Sequence, residues 1–389
     1  MDTGALLTQR HTSIDAVDAA AWNALELEGV PFLRHEFLAA LEHTGAVGGG
    51  TGWTPAFVTA HEGARLVGAL PLYAKAHSWG EFVFDFSWAQ AYQRHGLRYY
   101  PKLVVATPFT PATGPRLLLH PAADAVRVRR ALIAEALAAH PQASSLHLQF
   151  ATAAECEWLT GEGFLPRLDC QFHWHNRGWR DFEDYLGSFT AEKRKKARRE
   201  RRRVEEAGVR FEWAGGAALG AGDWQRVYAL HAATFHRHGH EPYLSLRFFR
   251  EVSRHPATEP KVLIARHGRE IIASAIFFAG RDSLYGRYWG AAGDYHSLHF
   301  EACYHQGIEY CLRHGLARFE PGTQGEHKIT RGFTPTLTHS AHLIRDERFR
   351  GAIAQYLGEE RAAIRAYARE AGEHLPFRAQ IALPEPREE

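Results

Sequence analysis

The sequence predicts an α/β protein of two tandem domains, each a mixed central sheet flanked by helices, and three observations carry that expectation. The chain has 389 residues, more than one typical domain, and 45% apolar with 12% aromatic residues is enough to fill two cores. Residues 285–344 read as strand, polar loop, amphipathic helix, strand, charged segment and last strand. That is a crossover unit, in which ligands gather at the carboxyl ends of the strands. Finally, HEGARLVGALPL at 61–72 is echoed by HGREIIASAIFF at 267–278. Each is a polar turn followed by an apolar strand with small residues at matching places, as two divergent copies of one α/β unit would leave.

The first domain is expected over 1–178 and the second over 179–389. Helices at 15–27 and 31–42 precede a glycine-rich loop at 45–52, and strands at 54–60 and 65–73 close a hairpin through His61-Glu62-Gly63-Ala64. Residues 83–115 are rich in Tyr, Trp, Phe and Pro, which marks a segment that packs deeply or lines a groove. Helices at 126–139 and 153–159 alternate with strands at 145–150 and 164–175. The second domain continues with a helix over 182–206 (its basic part at 191–206), a strand at 209–213, helices at 223–236 and 246–253, and a hairpin of 261–265 with 271–279. After a strand at 284–289, the apolar or small positions Phe300, Cys303, Tyr304, Gly307, Ile308 and Cys311 follow the stripe of a helix packed on a sheet. Ser297 is its expected cap and Gly315 its end. A strand at 317–320 and a C-terminal helix at 350–373 follow, and the acidic tail from Leu383 is expected to fray.

Net charge is only +2, so any polyanion must be met by a local patch. Four cysteines without a CxxC pair suit a reduced, cytoplasmic chain, and no run approaches the roughly 20 apolar residues of a membrane span. The first residues carry acids and no sustained apolar core, so no signal peptide is expected. The sequence specifies no oligomeric state, and peripheral contact with a membrane or a lipid-linked precursor stays open.

Residues 193–203, KRKKARRERRR, are basic at nine of eleven positions. Like charge at this density repels itself and folds more readily beside an anion, so Lys195, Arg198, Arg199 and Arg202 are expected on phosphates of a coenzyme, a tRNA or a lipid. The alternative is a solvated helix face. His299 with Cys303 and Glu301 with His305 share helical faces without an obvious third ligand, so no metal is expected. Glu301 or His299, at the start of a helix, is placed to accept a proton, or the carboxylate simply favours the helix N-terminus. In the charged segment, Lys328 and Arg331 suit a substrate carboxylate or phosphate, with Glu326 or His327 moving protons; a salt-bridge knot at a strand end is the other reading. Arg287-Tyr-Trp289-Gly-Ala-Ala292 fits R-x-x-G-x-A, a pattern in which backbone N–H groups cradle a pyrophosphate between strand and helix.

Taken together, DFSWAQAY, YYPKL, PFTPATGPRLL, KRKKARRERR, YGRYWG, LHFEACYHQGIEY and GEHKITRGFTP resemble the bacterial FemAB-like peptidoglycan biosynthesis/recognition proteins of the GNAT (acyl-CoA N-acyltransferase) superfamily, across roughly residues 32–344. The resemblance implies two tandem GNAT-like domains and transfer of an acyl or aminoacyl group to an amine acceptor such as a cell-wall precursor. The donor would be acyl-CoA or aminoacyl-tRNA, arriving as a substrate with no tightly bound cofactor. On this reading Trp88, Tyr92, Tyr99 and Tyr100 wall a groove and Lys102, Lys328 and Arg331 hold anionic parts of donor or acceptor. Backbone N–H groups near Arg287 and Trp289 stabilise the oxyanion. The long helical-arm insertion of some Fem aminoacyl transferases is missing here, and a catalytically silent protein that binds precursors or anionic lipid is the rival class.

Overall fold

The computed structural model describes residues 5–323, 325–378 and 387–388. Leu383 and most of the tail expected to fray lie outside them. The chain forms two compact units, Met1–Asp169 with Leu337–Arg365, and Cys170–Thr336 with Ala366–Arg387. A single cut at 178 does not describe them, because two strands, Leu165–His175 and Thr334–Ile344, begin in one unit and end in the other. Pairing is the reason. In the first unit His339 opposes Ala151 and Ile344 opposes Ser145, antiparallel; in the second, His175 opposes Arg318 and Trp174 opposes Phe319. Each unit is completed by a strand from the other half of the chain.

In the first unit the expected hairpin is present as Phe57–Glu62 and Arg65–Leu70, but both strands break, at Ala56 and Pro71. The outer pieces, Trp53–Pro55 and Leu72–Lys75, pair with each other in a different sheet. Proline has no N–H to give a ladder, so Pro71 marks the crossing. That second sheet continues through Lys102–Val105, which runs parallel to Ser145–Ala151 across a crossover containing the helix Ala125–Ala139. Val58, Leu70, Val105, Leu132 and Leu148 meet in the core between helix and sheets. The expected helices at 15–27 and 31–42 are shorter, Ala19–Asn23 and His35–His43, each preceded by a single 3-10 turn. Asp18 starts the former by accepting from the Ala21 N–H at 2.7 Å.

Among residues 83–115, Trp88, Tyr92, Tyr99 and Phe109 pack deeply instead of lining a groove, while Phe84 stays exposed. Trp88, Tyr92 and Tyr99 are buried with Ile344, Ile353 and Leu357, and the half-buried Tyr100 bonds Ser78 through its hydroxyl at 2.8 Å. Lys102 is fully buried and donates to Ser78 Oγ at 2.9 Å, to Glu81 at 2.8 Å and to Asp85. Tyr99 adds a hydrogen bond to Asp85 at 2.5 Å, and Gln149 one to Glu81 at 2.7 Å. Burial alone would raise the Asp85 pKa, but the Lys102 ammonium, with His147, holds it at about 2. An amine so committed has no capacity for a substrate anion.

The second unit carries its sheet in the order Val209–Gly215, Lys261–His267, Glu270–Ala279, Ser283–Ala291, Arg318–Glu320, then the end of Leu165–His175. Every pair is antiparallel except Ser283–Ala291 with Arg318–Glu320, which the crossover helix joins in parallel. Helix Ala221–Arg237 lies against this sheet so closely that a Cβ on Gly290 would sit 2.1 Å from the Leu230 carbonyl oxygen. The helix expected over 182–206 is two, Phe182–Gly187 and the basic Ala191–Glu206. Phe189 turns into the core against Phe377, ring centroids 5.4 Å apart, and Thr190 N–H donates to Pro376 O at 2.8 Å, which breaks the helical path.

Lys102→Met would leave Asp85 buried without its ion-pair partner and Glu81 with only Lys75, 3.9 Å away. A loss of about 3–5 kcal/mol is expected, read as a lower urea midpoint at pH 7; an unchanged midpoint would show that the network contributes nothing.

Candidate functional site

The parallel pair in the second unit is short. Ser283–Tyr285 opposes Arg318–Glu320, and then Pro321 ends the partner. On the other edge the register slips between Ile276 and Phe277, which oppose Tyr288 and Gly286, so Arg287 is the extra residue of a β-bulge. Residues 287–291 therefore lie in the strand itself, and the crossover helix starts only at Leu298. In this setting the R-x-x-G-x-A match has a packing explanation, because Gly290 is demanded by helix Ala221–Arg237. Ser297 precedes the crossover helix in left-handed backbone (φ 65) without capping it, and Gly315 ends it at φ 66. Between them Glu301–His305 forms a π turn, whose extra residue turns Glu301, His305 and Gln306 inward beside the apolar stripe.

Glu301 is consumed by that arrangement. It accepts from His305 at 3.0 Å, Gln306 at 2.9 Å and Arg201 at 3.1 Å. Burial would raise its pKa, but the His305 hydrogen bond and the charges of His305 and Arg201 bring it below the ordinary value. A carboxylate held this firmly ties the basic helix to the crossover helix. Arg201 also reaches Glu309 at 2.9 Å. Arg331 completes the attachment: its guanidinium lies 3.5 Å from the Phe300 ring centroid, donates to His327 O at 2.7 Å and pairs with Glu200 at 2.9 Å. Arg331 thus acts as a brace, the knot that the sequence left open.

These ties decide which way the basic helix faces. Lys196, Arg199 and Arg203 line a pocket of about 480 Å³ together with Tyr295, His299 and Phe300. A neighbouring pocket of about 350 Å³ is lined by Arg237, Trp289, Ala291 and Leu298, and both share Asp294, Tyr295 and His299. Of the four expected phosphate ligands only Arg199 is among the lining residues. Arg198 pairs with Glu183 at 2.5 Å and Arg202 with Glu206 at 3.5 Å, while Lys195 lies exposed on the same helix. Lys196 and Arg203 were missed, although their spacing from Arg199, three back and four on, was the available signal. Nothing in the sequence pattern pointed to Arg237, Asp294 or Tyr295.

His299 belongs to both pockets. Its ring packs 5.5 Å from those of Trp289 and Tyr304, and its nitrogens make no hydrogen bond to any described residue. Burial, then the nearby His327, Arg331 and Lys328, lower its pKa to about 4, so at neutral pH it is an uncharged imidazole. His327 is exposed, with Nε2 2.8 Å from the Tyr304 hydroxyl; its pKa is lowered by burial and then by Lys328 and Arg331. Glu326 is exposed and accepts from Tyr367 at 2.9 Å. Lys328 is only 2% exposed and donates to Gly322 O at 2.6 Å, with no carboxylate in ion-pair reach among the described residues. Burial brings its pKa down to about 7. Arg287 and Trp289 are half-buried on the strand, Trp289 within a pocket lining.

A parallel pair that parts after three residues, a bulge in its longer strand and a helix beginning beyond the split define a GNAT-type unit, and the molecule is a tandem protein of that fold. The FemAB-like family model, described as peptidoglycan biosynthesis/recognition, matches residues 13–379, and the chain belongs to that family. Among solved structures, FemX is similar with a TM-score of 0.54 and 10% identity over 89% of this chain and 100% of FemX. L-PGS from Bacillus licheniformis gives 0.52 and 10% over 88% of this chain and 97% of its own. A conserved protein of unknown function from Bacteroides thetaiotaomicron gives 0.51 and 10% over 86% and 99%. At these identities the likeness is one of fold. No curated protein matches the chain. Among the described residues no helix is long and apolar enough to cross a membrane.

A buried lysine without a carboxylate is a cost to the fold. Lys328→Met is expected to raise stability at pH 7 by on the order of 2–4 kcal/mol, measured by urea unfolding. Between pH 7 and the unfolded lysine value near 10.5 the unfolded chain binds the extra proton, so the parent gains stability as pH rises and the variant's advantage shrinks. An advantage that stayed constant with pH would contradict the assignment.

Proposed function

We propose that the chain is a transferase that moves an activated acyl or aminoacyl group to an amine, with the donor's phosphates on Lys196, Arg199 and Arg203 and the amine deprotonated at His299. The observation that carries this reading is the meeting of a cationic pocket and an aromatic pocket at one neutral imidazole. The amine nitrogen attacks the ester or thioester carbonyl, forming the new C–N bond. Backbone N–H groups of the strand near Arg287 and Trp289 stabilise the oxyanion. His299 takes the amine proton and returns it to the departing alkoxide or thiolate as the old bond breaks, so the imidazole ends neutral. A donor phosphate in the pocket that His299 lines would place negative charge near the imidazole and raise its pKa, so donor binding prepares the base.

Membership in a family described by peptidoglycan biosynthesis/recognition favours a cell-wall precursor as acceptor. Acyl-CoA and aminoacyl-tRNA both carry phosphates suited to the basic helix, and either places the reaction in the cytoplasm. In this scheme Lys328 sits beside the base as a cation that electrostatically opposes its protonation, while Glu326 and His327 remain at the exposed rim.

His299→Asn is expected to lower donor-dependent turnover by about 10²–10⁴-fold with donor affinity nearly unchanged. Arg199→Ala with Arg203→Ala should instead raise the donor KM and flatten its salt dependence. Turnover retained in His299→Asn, or precursor binding without consumption of either donor, would overturn the proposal. Salt-sensitive retention of tRNA on filters, set against competition by free coenzyme A, separates the two donors.

A further inference from the structure

A second site lies wholly within the first unit. Trp79 and Phe84 are 56% and 57% exposed, and Phe86 links them, with ring centroids 5.3 Å from Trp79 and 6.3 Å from Phe84. Exposed rings on a loop are ordinarily loosely held, yet this loop is anchored from beneath. Ser78, Glu81 and Asp85 are all bonded to the buried Lys102, and Lys75 donates to the Trp79 carbonyl at 3.2 Å. Phe82 sits at φ 60 and Phe150 at φ 52, backbone that a side chain larger than glycine adopts only when its surroundings impose it.

Phe84 also lines a pocket of about 200 Å³, with Phe150, Thr338, Ser340, Asp169 and the Arg167–Glu360 pair. Arg167 is paired within the fold: Nε and Nη2 each reach Glu360 at 2.8 Å, and Nη1 donates to the Phe84 carbonyl at 2.9 Å. No other cation is among the lining residues, and Glu360 already balances Arg167, so a phosphate or carboxylate would meet no uncompensated positive charge. The other polar side chains of the lining are the Thr338 and Ser340 hydroxyls and the Asp169 and Glu360 carboxylates. Ser340 Oγ accepts from the Phe150 N–H at 3.2 Å, and the Thr338 hydroxyl has no hydrogen bond to a described residue.

We propose that this pocket and its aromatic rim bind an uncharged saccharide ring. The C–H face of a pyranose covers the Phe84 ring, its hydroxyls exchange hydrogen bonds with Thr338, Ser340 and the acidic oxygens, and the volume suits one sugar unit. A ring of hydroxyls matches neutral donors and acceptors around an apolar wall, whereas an anion would face carboxylates and a purely apolar ligand would strand the hydroxyls. The site does not depend on the transferase reading.

The test is saturation-transfer NMR on the full chain with N,N′-diacetylchitobiose and with maltose as probes. Transfer to the protons of one sugar face is expected, lost in Phe84→Ala, and with affinity reduced about tenfold in Thr338→Val; Arg199→Ala should leave it unchanged, and circular dichroism checks that each variant is folded. Absence of transfer to both sugars would overturn the proposal. Transfer that persists in a folded Phe84→Ala, or displacement of the sugar by tetramethylammonium, would do the same, the latter by assigning the rings to a cation.

Discussion

Like-charge repulsion along the basic helix is the constraint around which the second unit is built. Nine cations in eleven residues oppose the helix that carries them. The fold answers with two inward attachments, Arg201 to Glu301 and Glu309, and Glu200 to Arg331. Both are shielded by rings, Arg201 lying 4.3 Å from the Phe182 centroid and Arg331 3.5 Å from that of Phe300. Partly desolvated pairs of this kind hold better than exposed ones. Lys196, Arg199 and Arg203 line the pocket with Glu200, which Arg331 already pairs, and with Asp294, so three cations meet two carboxylates there. The charge left uncompensated by the fold is the charge available to a ligand.

Two of the three buried lysines, Lys102 and Lys328, show how the same side chain is used in opposite ways. Lys102 sits between Glu81 and Asp85; burial alone would lower its pKa, and the carboxylates more than reverse that. It is a structural cation that holds a loop in place. Lys328 has a carbonyl for a partner, and burial lowers it to about 7. An amine poised between charged and neutral forms beside a neutral imidazole is poorly explained by packing, since a methionine would fill the space at less cost. Sequence could not separate the two, because what distinguishes them is the company supplied by residues some twenty positions away in one case and its lack among the described residues in the other.

Much of the architecture was legible because periodic patterns are local. The second hairpin, the crossover and the alanine-rich helix were read within one or two residues of their observed ends, whereas the first hairpin was drawn through the breaks at Ala56 and Pro71. The exchanged strands were not, since the choice of partner for residues 337–344 is made by Ser145–Ala151 nearly two hundred positions away. The π turn was hidden for another reason: Phe300, Tyr304 and Ile308 suit an ordinary helix, and only the contacts of Glu301 with Arg201 and His305 reveal the inserted residue. The aromatic segment at 83–115 misled because rings that fill a core and rings that wall a groove have the same composition. Of the residues lining the pocket beside the basic helix, the sequence pattern singled out His299 and Arg199 and could have added Lys196 and Arg203 by their helical spacing, whereas Asp294 lies in a loop that no periodicity marks.

That orientation has a consequence for the order of events. His299 is kept neutral by burial and then by His327, Arg331 and Lys328, and it also lines the pocket of Lys196, Arg199 and Arg203, so an anion bound there would raise its proton affinity. An amine arriving first would meet a base too weak to deprotonate it. A phosphate placed among Lys196, Arg199 and Arg203 would add negative charge near the imidazole, and each 1.4 kcal/mol of that attraction is worth about tenfold in proton affinity. Donor binding and base strength are then linked quantities, and the linkage runs both ways: protonating His299 must strengthen the hold on the donor by the same factor. The transfer step would therefore bind its anionic donor most tightly at the moment the imidazole carries the amine proton, which is where stabilisation raises the rate and not merely the affinity.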